Sequence, residues 1–327
     1  MFQGLFVNIL TLVIALIVLD KSSHWAIVNS IRIADITGFG RTTVGFILVA
    51  LSTSLPELSV ALFSTADEQA VGVAIGNVLG SNIVNICFVL GVSILFASWK
   101  QLSCIDFLPF ITRDEIKSLQ LGLFAASVIP LSLIYIGYAS RLIGLVLVLV
   151  FIWNTYNFGK KDQKFRDEGA MGEEREKLPF YIGLSVVGAI GVIVCSYFIV
   201  RSATSIALDL GVPRVIIGAT IVAFGTSIPE LATSLEATKN NSLNLALGNI
   251  VGSGFINITL ILGLSLLSTE FVINIGAFTN VAIFSLIGNL FLWYTLSGDR
   301  ICWREGVVLV ILYLVFLFTS FRQYPRI

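Results

Sequence analysis

The chain has 327 residues, with 20 Lys and Arg against 20 Asp and Glu; 56% of its residues are hydrophobic and only 12% are charged. An ordinary soluble domain has about 25% charged residues, so this composition excludes a soluble globular protein and also a disordered one. Nucleic acid is disfavoured as a partner, because there is no basic excess to neutralise phosphates. The composition indicates an integral membrane protein whose surroundings are the lipid bilayer.

Ten apolar segments long enough to cross a bilayer follow one another along the chain, in two sets of five. The predicted spans are 3–33, 41–65, 71–98, 117–137, 140–158, 179–209, 213–238, 244–268, 273–296 and 303–321. The first set occupies residues 1–158 and the second 179–327.

A highly charged segment at 159–178 separates the two sets, and we predict that it is a cytoplasmic loop. The loops on the same side of the membrane hold about 15 of the 20 basic residues. Because basic loops remain in the cytoplasm, the sequence predicts a multi-pass protein of the cell membrane with both termini outside.

The two sets of spans resemble each other in sequence. VGFILVALSTSLPELSVAL at 44–62 matches IGATIVAFGTSIPELATSL at 217–235, and AIGNVLGSNIVNICFVLGVSIL at 74–95 matches ALGNIVGSGFINITLILGLSLL at 246–267. Because five spans is an odd number, the second copy must have the opposite orientation in the membrane. The expected fold is therefore an all-α integral membrane protein with ten transmembrane helices arranged as two inverted five-helix repeats.

Each copy places a glutamate one residue after a proline inside an apolar span: Glu57 and Glu230. A carboxylate at this depth is costly, so it usually has a function. Two hydroxyl residues share the helix face of each glutamate, since the spacing is i, i+1 and i+4. These residues are Thr53 and Ser54 in the first copy, and Thr226 and Ser227 in the second.

The second pair of matching segments adds a serine and an asparagine at i and i+4, hence on one helix face. They are Ser81 and Asn85 in the first copy, and Ser253 and Asn257 in the second. For the hydroxyls the alternative is a bond to their own helix backbone, and for the asparagines it is a bond between helices.

The predicted ligands are all oxygen atoms, which suits Ca²⁺ or Na⁺. Two glutamates can neutralise one Ca²⁺ or several Na⁺, but not both at once, so the site favours an exchanger. Glu236 lies near a span end without a counterpart in the other copy, and we expect it at the membrane surface.

STSLPEL with GNVLGSNIVN, and GTSIPEL with GNIVGSGFIN, resemble the two alpha repeats of the Ca²⁺/cation antiporter superfamily, in particular its prokaryotic sodium/calcium exchangers. The resemblance implies that the two glutamates bind Ca²⁺ and share sodium sites, and that spans 1 and 6 slide across the other eight. It also implies sodium binding by the four serines and carbonyl ligands from two threonines and two alanines. In this sequence those serines, threonines and alanines are Ser54, Ser227, Ser81, Ser253, Thr53, Thr226, Ala50 and Ala223.

The sequence departs from the family pattern at Ser52, where glycine is usual, and at Gly254, where the first copy has Asn82. Asn257 replaces the aspartate of many members, which lowers the central negative charge and argues against potassium dependence. Exchange of H⁺ for Ca²⁺ on the same glutamates remains the alternative to sodium coupling. A cation channel is less compatible with an internal inverted repeat, and no motif of a membrane enzyme is present.

No cofactor motif occurs, and no protein partner is evident from the sequence. Cys87, Cys104, Cys195 and Cys302 form no CxxC pair, so the spacing predicts neither a disulfide framework nor a thiolate metal site.

Overall fold

The computed structural model of the protein describes a nearly all-helical chain. The described residues are 2–37, 53–65, 70–99, 105–106, 124, 128–129, 132, 138–162, 177–239, 243–268, 271–272, 275–298 and 300–322. The α-helices are α1 (Phe2–Thr37), α2 (Leu55–Thr65), α3 (Val71–Ile83), α4 (Gly91–Trp99), α5 (Arg141–Asp162), α6 (Leu178–Leu210), α7 (Arg214–Ile217), α8 (Ala223–Thr226), α9 (Ile228–Lys239), α10 (Leu243–Ile256), α11 (Leu262–Ser268), α12 (Ile275–Ser297) and α13 (Trp303–Arg322).

Three π-helical segments connect neighbouring α-helices into longer rods. They are π1 (Val84–Leu90), π2 (Gly218–Val222) and π3 (Asn257–Ile261). Four two-residue strands complete the description: β1 (Ile105–Asp106), β2 (Tyr138–Ala139), β3 (Phe271–Val272) and β4 (Arg300–Ile301).

Among the described residues, six helices are long and apolar enough to cross a membrane, or seven if the bent pair α7–α8 and α9 counts as one span. The six are Gly4–Ala26, Val71–Ser98, Leu178–Leu210, Ala246–Ser268, Phe278–Ser297 and Trp303–Arg322. The predicted span 140–158 corresponds to the apolar part of α5. Most of the predicted span 117–137, and the first part of 41–65, lie outside the described residues. The chain is thus a multi-pass membrane protein, and the count of ten spans stays a prediction.

The two spans with the glycine-rich motifs form the centre of the molecule. The most apolar window of Val71–Ser98 has 83% of its residues buried, and that of Ala246–Ser268 has 78%. In Gly4–Ala26 of α1 the share is only 17%, and α1 packs chiefly along α6. Since the central spans carry Ser81 and Ser253, they place the predicted ligands in the core.

Glycines allow the central helices to approach at backbone distance. A Cβ atom added to Gly80 would lie 2.3 Å from the carbonyl oxygen of Ala219, and one added to Gly76 would lie 2.1 Å from that of Val215. These contacts fix α3 against π2 and α7, so the sequence needs glycine there for space.

A second type of glycine contact occurs twice, each time between a helix of the first half and a helix of the second half. Gly91 and Gly306 face each other across α4 and α13, with 3.1 Å from an added Cβ on Gly91 to the Gly306 carbonyl oxygen. Gly144 and Gly263 face each other across α5 and α11, and the corresponding distance from Gly263 is also 3.1 Å. Equivalent positions of the two halves therefore pack in the same way.

Two short antiparallel sheets connect loops of the first half to loops of the second. In β1–β4 Ile105 is opposite Ile301, and in β2–β3 Tyr138 is opposite Val272. The sequence analysis did not predict these strands, because two-residue strands carry no detectable alternation of apolar and polar residues.

The cysteine prediction was wrong in one respect: Cys302 is disulfide-bonded. Cys87 and Cys195 are free and buried, while Cys104 lies outside the described residues. Cys302 follows β4 directly and precedes α13, and its backbone N–H donates to Oε2 of Glu305 at 2.8 Å. Spacing along the chain could not reveal this bond, because Cys302 has no other cysteine near it in the sequence.

Replacing Gly80 by alanine should strongly destabilise the protein, because its new Cβ would overlap backbone atoms of Ala219 that cannot move away alone. Gly183→Ala is the control, since no described atom lies within 4 Å of its added Cβ and alanine favours the helix by about 0.5–1 kcal/mol. Thermal unfolding in detergent should show a large decrease of the midpoint temperature for Gly80→Ala and none for Gly183→Ala. Equal midpoints for both variants would contradict the close packing of α3 and π2.

Reduction of the Cys302 disulfide should lower the thermal midpoint, because removing a native disulfide typically costs about 2–5 kcal/mol. The Cys302→Ser variant should melt at the lower temperature with or without reductant, and Cys195→Ser should behave like the unmodified protein. If the unmodified protein has the same thermal midpoint with and without reductant, the bond does not stabilise the fold.

Candidate functional site

A break in the helix precedes each of the two buried glutamates. Ser227 separates α8 from α9, which bend by 44° with respect to each other, and Glu230 lies in the first turn of α9. Ser54 forms the turn before α2, whose first turn contains Glu57. The backbone after the break is the same in both copies, since Leu58 N donates to Ser54 O at 3.0 Å and Leu231 N to Ser227 O at 3.1 Å.

The prolines explain why the breaks occur at these positions. Pro56 and Pro229 lie in the first turn of the new helix, where a missing N–H is tolerated, but neither could donate to a helix continuing from the preceding span. A new helix therefore begins at each motif, and its first turn contains the buried glutamate.

Both glutamates are completely buried, with 0% of their surface exposed. Oε1 of Glu57 accepts hydrogen bonds from Ser81 Oγ at 3.4 Å and from Ser227 Oγ at 3.5 Å, and Oε1 of Glu230 accepts one from Ser253 Oγ at 3.4 Å. Oε2 of each glutamate has no hydrogen-bond partner among the described residues. One oxygen of each carboxylate is thus held in place, and the other is available to a ligand.

Hydroxyl groups join the two copies into a single cluster. Ser227 of the second copy donates to Glu57 of the first. In the other direction, Ser54 Oγ donates to Ser253 Oγ at 3.3 Å, and Thr53 Oγ1 lies 3.3 Å from the same atom. The structure therefore brings together both predicted glutamates with Thr53 and the four predicted serines, so for these hydroxyls the alternative of bonding only their own helix fails.

The two predicted asparagines lie in π-helical segments. Asn85 belongs to π1 and Asn257 begins π3, and both are fully buried. Their side-chain amide atoms have no hydrogen-bond partner within the described part of the chain, so no bond between helices accounts for them there. Isolated π-helical turns are frequent at functional sites, and these two are features that the apolar sequence did not predict.

The predicted alanine carbonyls are only partly placed by the structure. The carbonyl oxygen of Ala223 accepts from Ser227 N at 3.1 Å and from Thr226 Oγ1 at 3.3 Å, while Ala50 lies outside the described residues. The ligand roles of both alanines stay predictions. Glu236 lies apart from the cluster, since its exposed carboxylate pairs with Lys239 at 3.4 Å, and its position at the membrane surface stays a prediction.

The sequence analysis overlooked two asparagines that hold motif residues. Thr226 Oγ1 donates to Asn77 Oδ1 at 3.1 Å, and Asn249 Nδ2 donates to Thr233 Oγ1 at 3.2 Å. Both asparagines follow the first glycine of the repeated GNxxGS sequence, so their recurrence in an apolar span was an available signal.

The structure explains one departure between the copies. A Cβ atom on Gly254 would lie 2.7 Å from Oδ1 of Asn82, which is the residue at the matching position of the first copy. The two matching positions thus lie against each other, and the Asn82 amide uses the space that a side chain at 254 would need.

The electrostatics of this cluster call for a cation. Two ionised carboxylates in a buried apolar setting repel each other and lose hydration, which costs several kcal/mol unless positive charge compensates them. The available donors are carboxylate, hydroxyl and amide oxygens, the set preferred by Ca²⁺ and by other hard cations.

Comparison with known proteins identifies the family. The model of the family described as "Sodium/calcium exchanger protein" matches residues 7–159 and 180–322, which include both copies of the motifs. The chain belongs to this family. The resemblance predicted from the repeated motifs is thereby confirmed, and the protein is a membrane antiporter of the sodium/calcium exchanger type.

Relatives of similar length match over nearly the whole chain. Membrane protein MJ0091 of Methanocaldococcus jannaschii is 31% identical, covering 92% of this chain and 94% of the relative. The sodium/calcium exchanger MaX1 of Methanosarcina acetivorans is 30% identical, covering 96% of this chain and 99% of the relative.

Solved structures give the same result for the fold. The sodium–calcium exchanger NCX_Mj, soaked with Na⁺ and Sr²⁺, has a TM-score of 0.67 and 28% identity, covering 96% of this chain and 99% of NCX_Mj. The H⁺/Ca²⁺ exchanger CAX has a TM-score of 0.75 at 16% identity, covering 96% of this chain and 87% of CAX, which shows a shared fold.

Removing the Ser253 hydroxyl should weaken cation binding about tenfold or more, since a hydrogen bond to a charged group contributes about 1.5–3 kcal/mol and this hydroxyl also meets Thr53 and Ser54. Thr259→Ala is the matched control one to two turns further along the same rod, because its hydroxyl donates to its own helix at Phe255 O. Calcium-45 binding to purified Ser253→Ala and Thr259→Ala would compare them. Equal affinities would remove Ser253 from the site.

Proposed function

We propose that the protein exchanges Na⁺ for Ca²⁺ across the cell membrane by alternating access, using one all-oxygen site centred on Glu57 and Glu230. The observation that carries this proposal is the pair of fully buried carboxylates, each with one oxygen held by serine and the other without a partner among the described residues. Membership of the sodium/calcium exchanger family supports the choice of ions.

Charge compensation supplies the reason for exchange rather than uptake of both ions. Two carboxylates balance one Ca²⁺, or they can be shared among several Na⁺. Occupation by one kind of ion therefore removes the negative charge that the other would need. Because the loaded site is close to neutral in either case, the change of access from one side to the other costs less with ions bound than with two uncompensated carboxylates.

The proposed ligands are carboxylates, backbone carbonyls, hydroxyls and side-chain amides. The glutamates bind Ca²⁺ together with the backbone carbonyls of Thr53 and Thr226, and they share the sodium sites. The remaining proposed ligands are the hydroxyls of Ser54, Ser227, Ser81 and Ser253, the amides of Asn85 and Asn257, and the carbonyls of Ala50 and Ala223. The hydroxyl bonds between the two copies support a single shared site over two separate ones.

The proposed architecture is ten transmembrane helices in two inverted repeats, 1–158 and 179–327, joined by a cytoplasmic loop at 159–178, with both termini outside. Several twin features support it: the helix breaks at Ser54 and Ser227, the glycine contacts of α4–α13 and α5–α11, and the two sheets that join the halves. In proteins with inverted repeats the substrate site lies where the two copies meet, and this cluster contains residues of both copies.

The test is calcium-45 uptake into proteoliposomes that are loaded with Na⁺ and diluted into Na⁺-free buffer, beside a second set that carries only a pH gradient. Uptake should require internal Na⁺. The fold shared with CAX and the presence of two carboxylates that can take up protons make H⁺ the rival ion. Uptake driven by the pH gradient alone would show that the coupling ion is H⁺ and not Na⁺. Uptake without any counter-ion would indicate a channel.

The variants Glu57→Gln and Glu230→Gln should fold but lose exchange, because each removes half of the charge that compensates Ca²⁺ while keeping the side-chain volume. Glu236→Gln is the control, since that carboxylate is exposed and pairs with Lys239 outside the cluster. Size-exclusion profiles report folding, and the uptake assay reports exchange. Normal calcium flux in either of the first two variants would disprove the site.

A further inference from the structure

The short helix α8 (Ala223–Thr226) leads into Ser227 and so determines where the Ser227 hydroxyl lies relative to Glu57. On one side of α8, the Phe224 ring packs on Phe88 with 5.4 Å between ring centroids, and Phe88 packs on Tyr313 at 5.3 Å. These two rings belong to π1 and α13. This side of α8 is thus held by the body of the molecule.

At the next residue, Gly225, α8 meets the peripheral helix α1 through Leu16. A Cβ atom on Gly225 would lie 2.2 Å from Cδ2 and 2.8 Å from Cδ1 of Leu16, so the leucine side chain fills the space that any larger residue at 225 would need. Gly225 has ordinary helical backbone within α8, and its small size rather than its conformational freedom is what the contact requires.

Helix α1 makes few other close contacts with this part of the molecule. Its neighbours Val13, Ile14 and Ile17 point outward and are exposed, and its main partner is α6. There the helices approach closely, since a Cβ on Gly188 would lie 2.6 Å from the backbone nitrogen of Ala26. Leu16 therefore transmits the position of the α1–α6 pair to the residues directly before Ser227.

We propose that Leu16 is a positioning residue for the ion site: by filling the space beside Gly225 it holds α8 so that Ser227 reaches Glu57, which is 3.5 Å away from the Ser227 hydroxyl. This inference rests on the proposed function of the same site. It assigns the connection between α1 and the bound cation to one pair of side chains. When Leu16 leaves this space, α8 loses its support on that side, and the bond from Ser227 to Glu57 loosens.

The test makes the side chain at 16 smaller and the residue at 225 larger, first separately and then together. Each variant is purified as the full-length chain, and its Ca²⁺ affinity is measured with calcium-45. Gly225→Ala should lower the affinity about fivefold or more, in the range of coupling between sites, because its Cβ displaces Leu16. Leu16→Ala should lower it as well, since α8 loses support. The double variant L16A/G225A should recover most of the affinity, because the new methyl group occupies the space that Leu16 vacates.

The matched control is Ile17, which neighbours Leu16 on α1 and has 57% of its surface exposed. Ile17→Ala should bind Ca²⁺ like the unmodified protein, and I17A/G225A should retain the full defect of Gly225→Ala. Thermal midpoints taken in parallel identify any variant that fails to fold, and in that case Leu16→Val and Leu16→Ala replace the pair, with a loss of affinity that should grow as the side chain at 16 becomes smaller.

The outcomes separate this inference from the proposed function. Ca²⁺ binding by the unmodified protein without recovery in L16A/G225A, or with equal recovery in I17A/G225A, overturns the role of Leu16 alone. Absence of Ca²⁺ binding in the unmodified, folded protein overturns the proposed function and this inference with it. Recovery confined to L16A/G225A supports the inference whichever ion, Na⁺ or H⁺, proves to be exchanged.

Discussion

The interaction on which the rest of the structure depends is that of two carboxylates with the hydroxyls around them in an apolar interior. Glu57 and Glu230 have no access to water in this conformation, and the hydroxyls nearby are neutral, so their ionised form needs a bound cation as well as these hydrogen bonds. Helix breaks and π-helical turns surround the two carboxylates. The helix breaks place the hydroxyls of Ser54 and Ser227 in the cluster, and the helical backbone around them keeps its polar groups bonded within the chain.

Close packing provides the rigid frame for this chemistry. Between membrane helices there is little hydrophobic gain over contact with lipid, so contact depends on shape, and glycine at Gly80 and Gly76 permits backbone contact. The central spans are consequently well fixed, while α1 and α6 remain at the periphery and pack mainly on each other. Close packing at the centre and sparser packing at the edge would suit the alternating access proposed above.

Much of the candidate site was predictable from the sequence, because each of its motifs occurs twice in the chain. A proline followed by a glutamate is rare in an apolar span, and its recurrence with the serines in register identified Glu57, Glu230 and Ser253. The π-helical turns at Asn85 and Asn257 were not predictable, because an extra residue per turn leaves no mark in a uniformly apolar segment. The pairing of β1 with β4 depends on a contact between distant loops, and the bond at Cys302 has no signal in the sequence near it. Asn77 was missed although its motif recurs.

The contact between Asn82 and Gly254 requires the two halves of the chain to differ in sequence. These residues occupy matching positions of the two copies, yet they meet at a place where the Asn82 amide lies 2.7 Å from where a Cβ of residue 254 would be. Two identical half-length subunits would bring the same residue to both sides of that contact, either two asparagines in conflict or two glycines with a gap. Joining the halves in one gene lifts that restriction, because each side can then mutate alone. The contact thus uses a difference between the two halves that exact symmetry forbids.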